Sequence, residues 1–341
     1  MMNPPSARDP SIDIARMVAA FLILLYHAAQ SYSMAGGQAI AGQPPWAVVG
    51  TISMWGRVPF FFLLAGCFSA RSLEKSGAAW WPFFSKRLLG LGLPYLFWNL
   101  VSLVMLYVAI RQGVDFKTDW QMTPATAVMQ LTGFGMAPAN GPLWFIRDLI
   151  LASCLAPFLF RLGPWILVPC LLLTVHSPPG SIVPTQGVPL ASSFGFFGIG
   201  MMFRFLPRGT VSTLFPRPGL GALICVTAGL SCLIFNFAPP LFAGPVAGAA
   251  GILLTGQFVH QSLPRIGEWL AANASASVLI FAANVPFFAV ARRVYQKLGD
   301  SVSCLAYFSI MAFVFFFMVC WINQLLRARI PRLLPLITGG R

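Results

Sequence analysis

The stretch "SIDIARMVAAFLILLYHAAQSY", residues 11–32, decides how this chain is read. Its length and apolar character suit a helix crossing a hydrocarbon core, for which about 20 residues suffice. Yet it carries Asp13, Arg16 and His27, and ionisable groups inside a membrane are costly. A helix turns about 100° per residue and rises 1.5 Å, so His27 lies within about 20° of Arg16 around the axis and about 16 Å along it. Asp13 falls on nearly the same face, and the small Ala20 between them leaves space beside the helix. Such groups usually face a bundle interior or a cavity, which makes the stripe a candidate functional site. The plainer alternative keeps Arg16 as an interfacial anchor and His27 as a hydrogen-bonded core group.

Working outward, the whole chain has the composition of this stretch. Of 341 residues, 57% are hydrophobic and 9% are charged, and the mean hydropathy is +0.78. Soluble domains carry about a quarter charged residues, so the class is a membrane protein. The net charge of +14 is spread over single and paired Lys and Arg between apolar runs, where it sets orientation and meets anionic headgroups or a phosphorylated small molecule. The concentrated basic stripe of a nucleic-acid face is absent. The seven cysteines form no C-x-x-C pair and no Cys/His cluster, so neither a disulfide framework nor a metal is expected. Asp13 and Arg16 interrupt the start of the first apolar run, which reads as a retained helix rather than a cleaved signal.

Gly, Pro and charge clusters divide the chain into about ten candidate spans: 12–34, 47–70, 88–110, 142–160, 164–176, 189–205, 219–236, 241–260, 274–291 and 302–325. With the N-terminus inside, the outer connections hold only Arg111, Lys117, Arg292, Arg293 and Lys297, whereas Arg71, Lys75, Lys86, Arg87, Arg161, Arg204 and further arginines lie inside. This bias places both termini in the cytoplasm. The expectation is an all-α membrane protein: one helical bundle over residues 1–341, no separate soluble domain, and a short basic tail at 326–341.

Further polar groups interrupt the spans. In "WGRVPFFFLLAGCF", residues 55–68, Arg57 is too deep to reach water easily and so faces a cavity or a carboxylate, while Pro59 frees backbone carbonyls beside it. Lys86 and Arg87 follow Trp80 and Trp81, either as topology anchors at an aromatic belt or as phosphate contacts. Arg147 and Asp148 in "NGPLWFIRDLI", residues 140–150, are about 100° apart on a helix and so are expected to point in different directions. His176 and His260 read as interfacial residues. No phosphate-binding glycine loop, nucleophile elbow or metal-spaced His pair is present, which leaves acid–base work by His27 with arginine support.

These segments together resemble acyltransferase family 3, membrane-embedded enzymes that O-acylate carbohydrates of the bacterial surface. The resemblance rests on "IDIAR" with ten residues between Arg16 and His27, "RVPFFFLLAGCF", "FFSKRLLGLGLPY" and "GPLWFIRDL", in that order. It implies that Arg16 and His27 are essential to acyl transfer, and that Asp13, Arg57, Lys86, Arg87, Trp144, Arg147 and Asp148 are candidates for binding substrate or donor. The chain departs from the family pattern at Ile14, Ala65 and Gly90, and at Asn284 in "SVLIFAANVPFF", where many members have a histidine. The implied reaction moves an acyl group, foremost acetyl, from acetyl-CoA or another acyl-CoA to a hydroxyl of a carbohydrate acceptor. Its setting is the bacterial inner (plasma) membrane, with lipid as neighbour and no nucleic acid or metal. His27, with an ordinary imidazole pKa near 6.5, is the expected general base. A transporter or flippase of a lipid-linked sugar, or a structural subunit, could use the same polar stripe.

Overall fold

The first helix, α1 (Pro10–Met34), begins where Asp9 accepts a hydrogen bond from the Ser11 amide at 2.9 Å. Pro10 occupies the first helical position, where a missing N–H removes no helical bond. In a computed structural model of the chain, residues 9–36, 45–77, 80–112, 123–175, 191–205, 216–234, 243–299 and 302–339 are described. Among them every regular element is helical.

The second helix, α2 (Pro45–Lys75), contains Pro59. Next, α3 (Trp80–Arg87) runs through a π-helical segment (Leu88–Gly92) into α4 (Leu93–Arg111). A short helix, α5 (Pro124–Thr132), closes on the left-handed Gly133. A 3₁₀ turn (Gly141–Leu143) then enters α6 (Trp144–Arg161). The later helices are α7 (Leu167–Val175), α8 (Ala191–Met202), α9 (Pro218–Ile234), α10 (Ala243–Ser262), α11 (Pro264–Ala272), α12 (Ala276–Leu298), α13 (Cys304–Arg329) and α14 (Leu334–Thr338).

Among the described residues, five helical stretches are long and apolar enough to cross a membrane: Pro10–Met34, Trp80–Arg111, Gly141–Arg161, Ala276–Leu298 and Cys304–Arg329. Their outer faces are apolar too. Leu100, Val104, Phe313, Phe317 and Trp321 are all more than half exposed, a surface that water disfavours and lipid does not. The chain is an all-α membrane protein.

The first helix sits at the centre, packed against α2, α10, α11, α12 and α13. Ala15, Ala19, Ala20, Leu24 and Ala28 are fully buried on it. Lipid supplies no hydrophobic force between helices, so close contact over small residues does the work. Gly256 of α10 lies so close to Ser11 and Ala15 that a side chain there would overlap them. Across α2 and α8 the device is reciprocal: Gly66 faces the Phe197 carbonyl and Gly200 faces the Leu63 carbonyl, with no room for a Cβ at either.

Two boundaries differ from those expected. Helix α12 runs to Leu298 and carries Arg292, Arg293 and Lys297 in its final turns instead of in a connection. Between α10 and α12 lies the additional helix α11, which an apolar-run criterion passes over because it is short and amphipathic. His176 and the loop at 177–189 lie outside the described residues.

Candidate active site

His27 faces a cavity of about 260 Å³ between α1, α2, α6 and α12, roofed by the segment before α6. Its walls are mostly apolar, from Ile23, Val58, Pro138, Pro142, Trp144, Phe145 and Phe281, while Tyr26, His27, Gln30 and Arg57 supply the polar groups. Sites that enclose a whole drug-sized ligand run to roughly 300–1,000 Å³. At about 260 Å³ this space falls just below that range.

Within it the polar side chains are linked. His27 Nδ1 is 2.8 Å from Gln30 Oε1, and Gln30 Nε2 donates to Tyr26 Oη at 3.1 Å. The Arg57 guanidinium stands 4.1 Å above the Tyr26 ring, a cation–π contact that is strongest where water is excluded. The Tyr26 and His27 rings meet edge-on at 5.3 Å. Arg57 is thus brought to His27 from another helix.

The roof is pinned by a proline defect. Pro286 has no N–H to offer the Ala282 carbonyl one turn earlier, and Asn140 Nδ2 donates to that carbonyl at 2.6 Å. The Asn140 amide donates in turn to Asn99 Oδ1 at 3.0 Å, which secures the backbone next to Gly141 and Pro142.

Arg16 does not line this cavity. It is 3% exposed and donates to Asp13 Oδ1 at 3.1 Å and to Ser277 Oγ of α12 at 3.0 Å. The polar stripe of α1 therefore resolves into two stations: an ion pair held against α12 at the start of the helix, and an open imidazole farther along. Ala20, fully buried, lies between them.

Trp144 and Phe145 reach the cavity, and Arg147 and Asp148 do not. Arg147 donates twice to Asp148 Oδ1, at 2.9 and 2.7 Å, and also to the Gly133 carbonyl. The expectation that adjacent positions send these two groups apart is corrected here. Their Cβ atoms diverge, but the long arginine side chain folds back to meet the carboxylate, and both residues are buried. Gly133, at φ +72°, leaves space for the Arg147 side chain and the Tyr95 hydroxyl. Arg87 donates to Ser69 of α2 at 3.2 Å, and Lys86 is exposed. No cluster of three His, Cys, Asp or Glu that could hold a metal occurs among the described residues.

Tyr26, Gln30, Ser277 and Asn140 were not anticipated. Gln30 was accessible in principle, since a residue three positions after His27 shares its helix surface.

An imidazole and a guanidinium thus converge on a mostly apolar cavity inside a helical membrane bundle. Residues 9–323 match the family model described as "Acyltransferase domain", and the chain belongs to this family, acyltransferase family 3. It is 25% identical over 266 residues to the succinoglycan biosynthesis protein ExoH of Rhizobium meliloti (strain 1021), covering 73% of this chain and 70% of ExoH. No solved structure matches it.

Proposed function

We propose that this protein O-acylates a carbohydrate at the bacterial inner membrane, moving an acyl group, foremost acetyl, from acyl-CoA to a sugar hydroxyl with His27 as general base. The observation that carries this reading is the His27–Arg57 cavity, whose mostly apolar walls make charges inside it interact more strongly than they would in water. Support for the substrate class comes from the ExoH relative, whose name belongs to succinoglycan biosynthesis.

A hydroxyl is a poor nucleophile near neutral pH, and a positioned base lowers the barrier to its attack by the equivalent of about 10²–10⁴ in rate. In this scheme His27 Nε2 takes the hydroxyl proton as the oxygen attacks the thioester carbonyl. The tetrahedral intermediate then expels the thiolate, to which the imidazolium returns the proton. Arg57 stabilises the negative oxygen of that intermediate. Trp144 and Phe145 keep water from the thioester, which would otherwise be hydrolysed.

Arg16 is the donor-side cation in this reading. Its guanidinium already holds Asp13 and Ser277, so a phosphate of the donor shares or displaces the carboxylate, with Lys86 and Arg87 as further contacts. His27 lies about 22 Å along α1 from residue 12, in the outer half of a roughly 30 Å core. The donor therefore enters from the cytoplasm and the acceptor from the other side.

Mass spectrometry of surface and periplasmic glycans from cells with and without the gene tests this directly. The expected result is a base-labile acyl mass lost on deletion and not restored by His27→Ala. An unchanged acyl mass with His27→Ala would sink the role of His27. Movement of a lipid-linked sugar without any ester product would replace the reading with a transporter.

A further inference from the structure

We propose that Gln30 is the positioning residue of this site, fixing the tautomer of His27 so that Nε2 faces the cavity as the basic nitrogen; the inference rests on His27 acting as the base. An amide carbonyl oxygen only accepts, so the 2.8 Å contact between Gln30 Oε1 and His27 Nδ1 requires the proton on Nδ1. A neutral imidazole has one N–H, and Nε2 is then left with a lone pair. Histidines that exchange protons or bind metals are oriented in this way by the partner of their second nitrogen.

Gln30 Nε2 points to Tyr26 Oη at 3.1 Å, and the Tyr26 ring is held in place by the Arg57 guanidinium above it. Gln30 lies three positions after His27 and four after Tyr26, the two spacings at which side chains on a helix meet. All four residues line one cavity, so the relay runs from Arg57 through Tyr26 and Gln30 to His27 without leaving it. A neutral amide suits the place, because it sets the tautomer without adding a second buried charge beside Arg57.

The test uses purified full-length protein in detergent, labelled with ¹⁵N-histidine. The chain has three histidines, and the His27 signal is the one that His27→Ala removes. The expected result for neutral His27 is protonated Nδ1 and bare Nε2. Gln30→Leu should mix the tautomers and lower kcat by about 10–100-fold, the usual effect of removing such a partner, with KM little changed. Gln30→Glu, which keeps an acceptor, should retain the tautomer. Should Gln30→Leu not fold, Tyr26→Phe removes the hydroxyl that orients the amide and should shift the same signal. A wild-type signal with the proton on Nε2, or a Gln30→Leu variant with unchanged tautomer and kcat, overturns the proposal. The ¹⁵N spectrum is independent of activity, so an active His27→Ala would defeat the base reading while leaving the tautomer question answered separately.

Discussion

Arg16 holds Asp13 and Ser277 in a pocket from which water is excluded. Removing one member of a buried ion pair leaves the other uncompensated and typically costs about 3–5 kcal/mol. Asp13→Ala should therefore lower the unfolding midpoint in detergent markedly, whereas Ser277→Ala, which removes a neutral partner, should cost about 1.5–3 kcal/mol at most. Asn284 presents the opposite case. It is fully buried, and among the described residues neither of its amide atoms has a hydrogen-bond partner. An orphaned buried polar group costs about 1–3 kcal/mol, and an apolar replacement of similar shape can recover it. Asn284→Leu should raise the thermal midpoint; a fall would mean that water or substrate satisfies the amide in the membrane.

Between helices, the arrangement of the site depends on how closely α2 approaches its neighbours. Arg57 reaches the cavity from α2, and α2 is seated on α8 by the reciprocal contacts of Gly66 and Gly200. A side chain at either position meets backbone, which cannot yield as a flexible side chain can. Gly66→Leu and Gly200→Leu are both expected to abolish recovery of folded protein in size-exclusion chromatography, while Gly141→Ala, with open space around it, should not. The roof segment works by a different device. Asn140→Ala leaves the Ala282 carbonyl without its donor in a helix already missing one bond at Pro286. This variant should fold and lose activity, because the segment bearing Pro138, Gly141 and Pro142 loses its bond to α12 and keeps only the Asn140 N–H bond to Asn99.

For the whole molecule, the basic residues give a topology that can be measured. A cytoplasm-active reporter fused after Arg341 should work, and one that matures only outside should not. The opposite pattern would reverse the inferred sides of donor and acceptor. Much of this plan was legible in the sequence because lipid imposes simple demands. Long apolar runs without charge must be helices there, and Asp13, Arg16 and His27 recur at a helical period that already gave one polar face. The end of α12 was not legible, since Arg292, Arg293 and Lys297 look the same in a last helical turn as in a loop. Nor was the Arg147–Asp148 pair, which depends on side-chain reach and not on angular position.

The stretch at residues 11–32 by itself determined that α1 is a membrane helix with its polar groups turned inward, because helical periodicity and the cost of charge in lipid are local properties. Tertiary structure alone decided what those groups meet. Arg16 meets Ser277 of α12, and Arg57 arrives at His27 from α2, because contacts between helices depend on packing over small residues that no spacing within one helix records.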